Sequence, residues 1–148
     1  MTEGLPDELA YRLGYLLKHA QQRLARAAEP AMAPFGIDGR ELAILTVLAA
    51  GAPLSQQQAA ERLGVDRTTM VALIDALETK GLVSRQRSPE DRRRNLVQLT
   101  PPGEDCLRRA TKARDQVERE FLAPLGGTLS RQFVRALQIL ATPADGAS

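Results

Sequence analysis

Leu9, Leu13, Leu16, Leu17, Ala20, Leu24 and Ala27 recur at three-to-four spacing with Arg, Lys and Gln between them. This spacing predicts a long amphipathic helix from Pro6 to about Ala28. Pro6 suits its first turn, where a backbone N–H has no partner to lose. Pro30, Pro34 and Gly36 predict a break over residues 29–36. Asp38 then reads as the N-cap of a second helix carrying Leu42, Ile44, Leu45, Val47 and Leu48, closed by Gly51 and Pro53. Ser55 caps a short third helix that ends at Gly64, and Asp66 caps a fourth that runs to Lys80 and stops at Gly81. A short helix, a turn and a second helix at this spacing make a helix-turn-helix.

Past Gly81 the period changes. Leu82 to Arg87 and Asn95 to Leu99 are short β-favouring runs around a polar tip with Pro89, and predict a two-stranded ribbon with a long loop. Thr100 caps a long charged helix to about Leu122, with Pro101 in its first turn and Leu107, Ala110, Val117 and Phe121 as a sparse apolar line. Pro124, Gly126 and Gly127 separate it from a last helix of Phe133, Val134, Leu137 and Leu140; the tail after Thr142 is expected to fray. The fold class is therefore mainly α, an α+β winged helix. Residues 1–148 form a single domain, with a winged helix-turn-helix over 37–100 and helical dimerisation regions at 5–36 and 101–142. The first and last helices have apolar faces too narrow to build a core with one another unaided. A symmetric homodimer would bury them, and a monomeric helical bundle is the alternative.

Of the 148 residues, 43% are hydrophobic and 26% charged, which excludes disorder of the whole chain. Aromatics are only 3% and Trp is absent, so the helical seams must pack through Leu, Ala and Val. No apolar run approaches the roughly 20 residues of a membrane span. The amino terminus lacks the basic start and apolar block of a signal peptide. The expectation is a cytoplasmic protein with no membrane partner, and the single Cys106 cannot form an internal disulfide. A net charge of +2 is mild, but its distribution is uneven: Arg85, Arg87, Arg92, Arg93 and Arg94 face only Glu90 and Asp91 over residues 85–94. One His, one Cys and no glycine-rich phosphate loop leave no metal cluster, no activated nucleophile and no nucleotide fingerprint. An enzyme, a cofactor and a metal are not expected.

The chemistry that remains is that of nucleic-acid recognition. On the fourth helix Met70, Leu73, Ile74 and Leu77 share a core face, which turns Arg67, Thr68, Thr69, Val71, Ala72, Asp75 and Ala76 outward. Arg67 can donate to a guanine edge or a phosphate, the threonines can bond either, and Val71 can sit against a thymine methyl. Arginine at a ribbon tip suits a narrow, strongly negative minor groove. Asp91, two residues before Arg93, can hold that guanidinium in a forked salt bridge. Arg85, Arg87, Arg92 and Arg94, with Ser55, Gln56 and Gln57 at the start of the third helix, are placed to hold phosphates.

The order of elements, together with LSQQQAAERLGVDRTTMVALIDALETKGLVSRQRSPEDRRRNLVQLTPPG, resembles the MarR (multiple antibiotic resistance regulator) family of winged-helix transcription factors. The resemblance spans nearly the whole chain. Its most specific part is the wing, where Asp91, Arg93, Leu99 and Thr100 fall on the family's Asp-x-Arg and Leu-Thr positions, after Lys80, Gly81 and Leu82. It implies that Arg93 is the residue inserted into the minor groove. It further implies a homodimeric repressor on a pseudo-palindromic operator of double-stranded DNA. Ala72 and Ala76 depart from relatives that carry long polar side chains there, which shifts specificity toward the wing and DNA shape.

Family members commonly sense small aromatic acids or phenols between the dimer helices and the DNA-reading region. Arg12, Tyr15 and His19 lie within a narrow arc of the first helix and are the candidate ligand residues, although such residues also border helix stripes without any ligand. Cys106, followed by Arg108 and Arg109, makes a cysteine-based redox response the alternative, though the peroxide-sensing branch carries its cysteine in the first helix. A winged helix used for protein contact is a further alternative, against which the arginine-rich wing argues. The choice of repression over activation comes from the family resemblance alone.

Overall fold

The computed structural model describes residues 4–144. Six helices and three strands follow in the order α1 (Leu13–Met32), α2 (Gly39–Ala49), β1 (Leu54–Ser55), α3 (Gln56–Leu63), α4 (Arg67–Thr79), β2 (Val83–Arg87), β3 (Asn95–Leu99), α5 (Pro101–Leu122) and α6 (Gly126–Ala141). Short 3-10 turns at Ala33–Phe35 and Ala123–Leu125 follow α1 and α5.

The caps expected from the sequence form. Asp38 accepts from the Glu41 backbone N–H at 2.9 Å while the Glu41 carboxylate accepts from that of Asp38 at 3.2 Å, and Ser55 and Gln58 repeat this reciprocal box at α3. Gly64 closes α3 at φ 64° and Gly81 follows α4 at φ 76°, left-handed backbone that favours glycine.

Two expectations at the ends of α1 fail. Residues from Pro6 to Arg12 form successive turns, and the helix begins only at Leu13, after Arg12 takes extended backbone at φ -85°, ψ 113°. At the other end the helix runs through Pro30 to Met32. Pro30 removes one backbone donor in the last turn, but Ala28 and Met32 on that turn are buried and hold it against the core. The break arrives instead at Gly36, with φ 66°.

The ribbon is the third correction, since β1 adds to it. The sheet order is β1-β3-β2, all antiparallel, with Leu54 opposite Val97, Val83 opposite Leu99 and Arg87 opposite Asn95. Two residues are too few to show a strand period, and Leu54 joins because its side chain is buried.

Ile44, Leu45, Met70, Ile74, Leu77 and Val97 are the large side chains sealed from solvent, and they join α2, α4 and the sheet in one core. At roughly 1.5–3 kcal/mol for each such side chain, this cluster fixes α4 and the sheet as one body. α1 and α5 pack along one another. α6 buries none of its residues: Leu129, Val134, Ile139 and Leu140 are exposed, as are Leu13 and Leu17 on α1. No helix among the described residues is long and apolar enough to cross a membrane. The expected fraying after Thr142 falls mostly outside the described residues, α6 ending at Ala141.

Candidate nucleic-acid interface

The candidate duplex-reading face is assembled from the starts of two helices and the tip of the β2–β3 wing. Asp66 caps α4: its carboxylate accepts from the Thr69 backbone N–H and from the Thr69 hydroxyl, both at 2.8 Å. These two bonds hold the Asp66 carboxyl below its ordinary range. They also occupy Thr69, whose hydroxyl was expected to reach DNA. Arg67 and Thr68 stay exposed, and Val71 is half-buried.

The wing tip is an ordered loop. The buried Ser88 hydroxyl accepts from the backbone N–H of Glu90 and Asp91 at 3.3 and 3.4 Å, Ser88 N–H donates to the Arg94 carbonyl at 2.9 Å, and Arg94 N–H donates to that of Asp91 at 3.0 Å. Asp91 Oδ1 accepts from the Arg93 backbone N–H at 3.0 Å, and its other oxygen lies 3.9 Å from Arg94 Nε. The forked Asp91–Arg93 pair expected from the sequence is therefore replaced. With the carboxylate turned inward to the backbone, the loop holds Arg93 by its main chain and leaves Arg87, Arg92, Arg93 and Arg94 exposed. Ser88 organises this tip and was not anticipated, although the run Ser88, Pro89, Glu90, Asp91 is the pattern of a Ser-led turn.

Ser55, Gln56, Gln57, Arg67, Arg93, Arg94 and Asn95 converge on one concavity of about 170 Å³. It lies where the positive start of α3 faces the wing arginines, an arrangement suited to a phosphate. Asn95 enters this set unpredicted. Ser55 is buried and its hydroxyl serves the α3 cap, so its contribution is the helix start itself. Arg85 stands apart from its neighbours. Its guanidinium is engaged inside the protein by Gln56, Glu78 and Asp75.

Away from this face, α1, α2 and α5 border an open cleft of about 660 Å³ lined by apolar Ala25, Ala28, Met32 and Ile37, by the cations Arg40 and Arg114 and by the carboxylates of Glu29 and Asp38. Arg12, Tyr15 and His19 do not border it. Arg12 is exposed in the turn before α1, and the Tyr15 and His19 rings lie with centroids 4.0 Å apart. Cys106 is buried, and desolvation pushes its thiol up, with Arg109 opposing the shift. Among the described residues no group of three or more His, Cys, Asp or Glu could hold a metal ion.

A sequence model of the MarR family matches residues 35–94. A Thauera aromatica protein named as a transcriptional regulatory protein for the hcr operon is 33% identical over 126 residues, which cover 84% of this chain and 76% of that protein. The transcriptional regulator HosA of Escherichia coli O157:H7 is 29% identical over 98 residues, 66% of this chain and 73% of HosA. Among solved structures, the transcriptional repressor CouR bound to a 23-mer DNA duplex matches with a TM-score of 0.88 and 34% identity, over 94% of this chain and 99% of CouR. CouR from Rhodococcus jostii RHA1 bound to p-coumaroyl-CoA gives a TM-score of 0.80 and 28% identity, over 94% and 98%.

Proposed function

This chain belongs to the MarR family of DNA-binding transcriptional regulators and is not an enzyme; from that premise we propose that it is a homodimeric repressor released by a small aromatic ligand. The observation that carries the DNA contact is the convergence of Arg67, Arg93 and Arg94 on one concavity at the start of α3. In this reading Arg67, Thr68 and Val71 on α4 enter a major groove, Arg93 enters the adjoining minor groove, and Arg87, Arg92 and Arg94 hold phosphates. Two copies joined through the exposed apolar residues of α1 and α6 present two such faces to a pseudo-palindromic operator.

The ligand reading rests on the α1–α2–α5 cleft, which has the size and apolar lining of a small-molecule site. Arg40 and Arg114 stand beside the Glu29 and Asp38 carboxylates, of which Asp38 is turned to the Glu41 backbone, and supply donors for an aromatic acid or an acyl thioester of the kind seen bound to the Rhodococcus CouR. The Arg12, Tyr15 and His19 face is the second location for the same ligand class.

Fluorescence anisotropy on the duplex upstream of the chain's own gene, against a scrambled duplex across a salt series, tests the DNA reading. The expected result is a steep salt slope and a large preference for the native duplex. Equal, weak binding to both, repeated with duplexes selected from a random library, would defeat it. Titrating p-coumarate and p-coumaroyl-CoA into the complex then tests release. Arg114→Ala should weaken the response about tenfold if the cleft holds the ligand, whereas His19→Ala would do so if the α1 face does.

A further inference from the structure

Arg85 lies at the middle of β2, opposite the fully buried Val97 of β3. It shares a sheet face with Val83, two residues earlier and also buried. Its side chain is accordingly only 20% exposed. Four of its five N–H donors have partners within the protein. Nε and Nη2 donate to Gln56 Oε1 of α3 at 3.3 and 3.0 Å, Nη1 donates to Glu78 Oε1 of α4 at 3.0 Å, and Nη2 also donates to Asp75 Oδ1 of α4. One planar fork thus ties the base of the wing to the helix whose outward residues face DNA and to the first residue of the helix before it.

The charge arithmetic points the same way. One guanidinium against two carboxylates leaves the cluster net negative, so it offers nothing to a phosphate. Asp75 and Glu78 are 59% and 44% exposed, and Arg85 holds them from the side. We infer that Arg85 is a positioning residue that sets the angle between the wing and α4 through Gln56, Asp75 and Glu78, and that it does not contact the DNA backbone. The inference rests on the DNA-binding reading of this face. Its consequence concerns specificity: wing and α4 must reach adjacent grooves at once, and a loose joint blurs their register without removing any contact to the duplex.

The test compares wild type with Arg85→Ala, Arg85→Lys and the double variant Asp75→Ala with Glu78→Ala, which removes both carboxylate acceptors. Each is titrated into the tightest duplex that the wild type selects from a random library and into a scrambled duplex, across a salt series. A positioning role predicts that Arg85→Ala lowers the selected-to-scrambled ratio about tenfold with the salt slope unchanged. Arg85→Lys should fail to rescue, because an ammonium cannot serve three acceptors on two helices in one plane. The double variant, which keeps Arg85, should also lose discrimination. A salt slope lower by about one with discrimination intact, or full rescue by lysine, would mark a phosphate contact and overturn the proposal. Wild-type discrimination in the double variant would overturn it as well, and that variant carries the test should Arg85→Ala fail to fold. A wild-type protein that selected no duplex would instead count against DNA recognition itself.

Discussion

Lys80 Nζ donates to the Glu41 carboxylate at 2.6 Å, joining the residue that terminates α4 to the capping box that begins α2. The Glu41 side chain is 8% exposed and that of Lys80 36%, so the two partners are not equivalent. Lys80→Ala strands a buried charge, whereas Glu41→Ala leaves an ammonium that water can reach. Chemical denaturation should show Lys80→Met, which restores apolar cover but not charge, losing about 2 kcal/mol or more. Lys80→Met combined with Glu41→Gln should recover part of that loss. Additive losses in the double variant would show that the two side chains are uncoupled.

Among the described glycines, Gly103 has the closest backbone neighbour. A Cβ there would collide with the Leu82 carbonyl oxygen, which already accepts from Thr100 N–H at 3.1 Å. Main chain cannot swing aside as a flexible side chain can, so Gly103→Ala should displace α5 from the base of the wing. The expected cost is about 3 kcal/mol, read as a fall in melting temperature. A melting temperature within a degree of wild type would mean that α5 shifts freely at its start.

These two contacts show where the sequence is legible and where it is not. Asp38, Ser55, Asp66 and Thr100 each cap the helix expected of them, because capping is local chemistry carried within four residues. Helix α4 and the wing strands follow from period alone. What period misses is set by partners distant in sequence. Pro30 reads as a stop, yet the burial of Met32 carries α1 past it. Leu54 and Ser55 are too short to signal a strand until β3 arrives beside them. Arg85 reads as one more cation in a basic run, and only the fold reveals Asp75 and Glu78 waiting for it. The cleft residues Arg40 and Arg114 come from two helices and share no motif.

The wing arginines separate two accounts of how the tip is held. Since Asp91 accepts from the Arg93 main-chain N–H, Asp91→Asn keeps the acceptor and should bind DNA nearly as well as wild type. Asp91→Ala should weaken binding severalfold and Arg93→Ala about tenfold. A forked side-chain pair predicts instead that Asp91→Asn is as damaging as Asp91→Ala. Anisotropy on one duplex decides between them.

Asp66 gives a pH dependence with a defined sign. Its folded-state value is lowered by the Thr69 N–H and hydroxyl, so its contribution is fully present above the ordinary carboxylate value of about 3.9 and is lost as pH falls through the lowered one. Thermal melts from pH 7 to 3 should show wild type losing this stabilisation on the acid side. Asp66→Asn, which keeps a capping oxygen without the charge, should lack that component. Identical acid limbs would remove Asp66 from the account.

Cys106 tests the redox alternative directly. It is buried on α5, and desolvation raises its thiol while nearby Arg109 offsets the effect only in part, so the reactive thiolate is scarcer than in a free cysteine at neutral pH. Labelling by a thiol reagent at pH 7 should therefore be at least about tenfold slower in the native protein than in denaturant. Because the folded value is raised, the associated stability is present below the unfolded thiol value of about 8.5 and declines as pH rises beyond it. Cys106→Ala should remove that alkaline decline and leave DNA affinity, with or without peroxide, unchanged. Rapid native labelling together with peroxide-dependent release that vanishes in Cys106→Ala would reverse the assignment. The buried thiol would then be reached through an opening of the α2–α5 packing, and oxidation, rather than a ligand in the cleft, would be the signal that frees the operator.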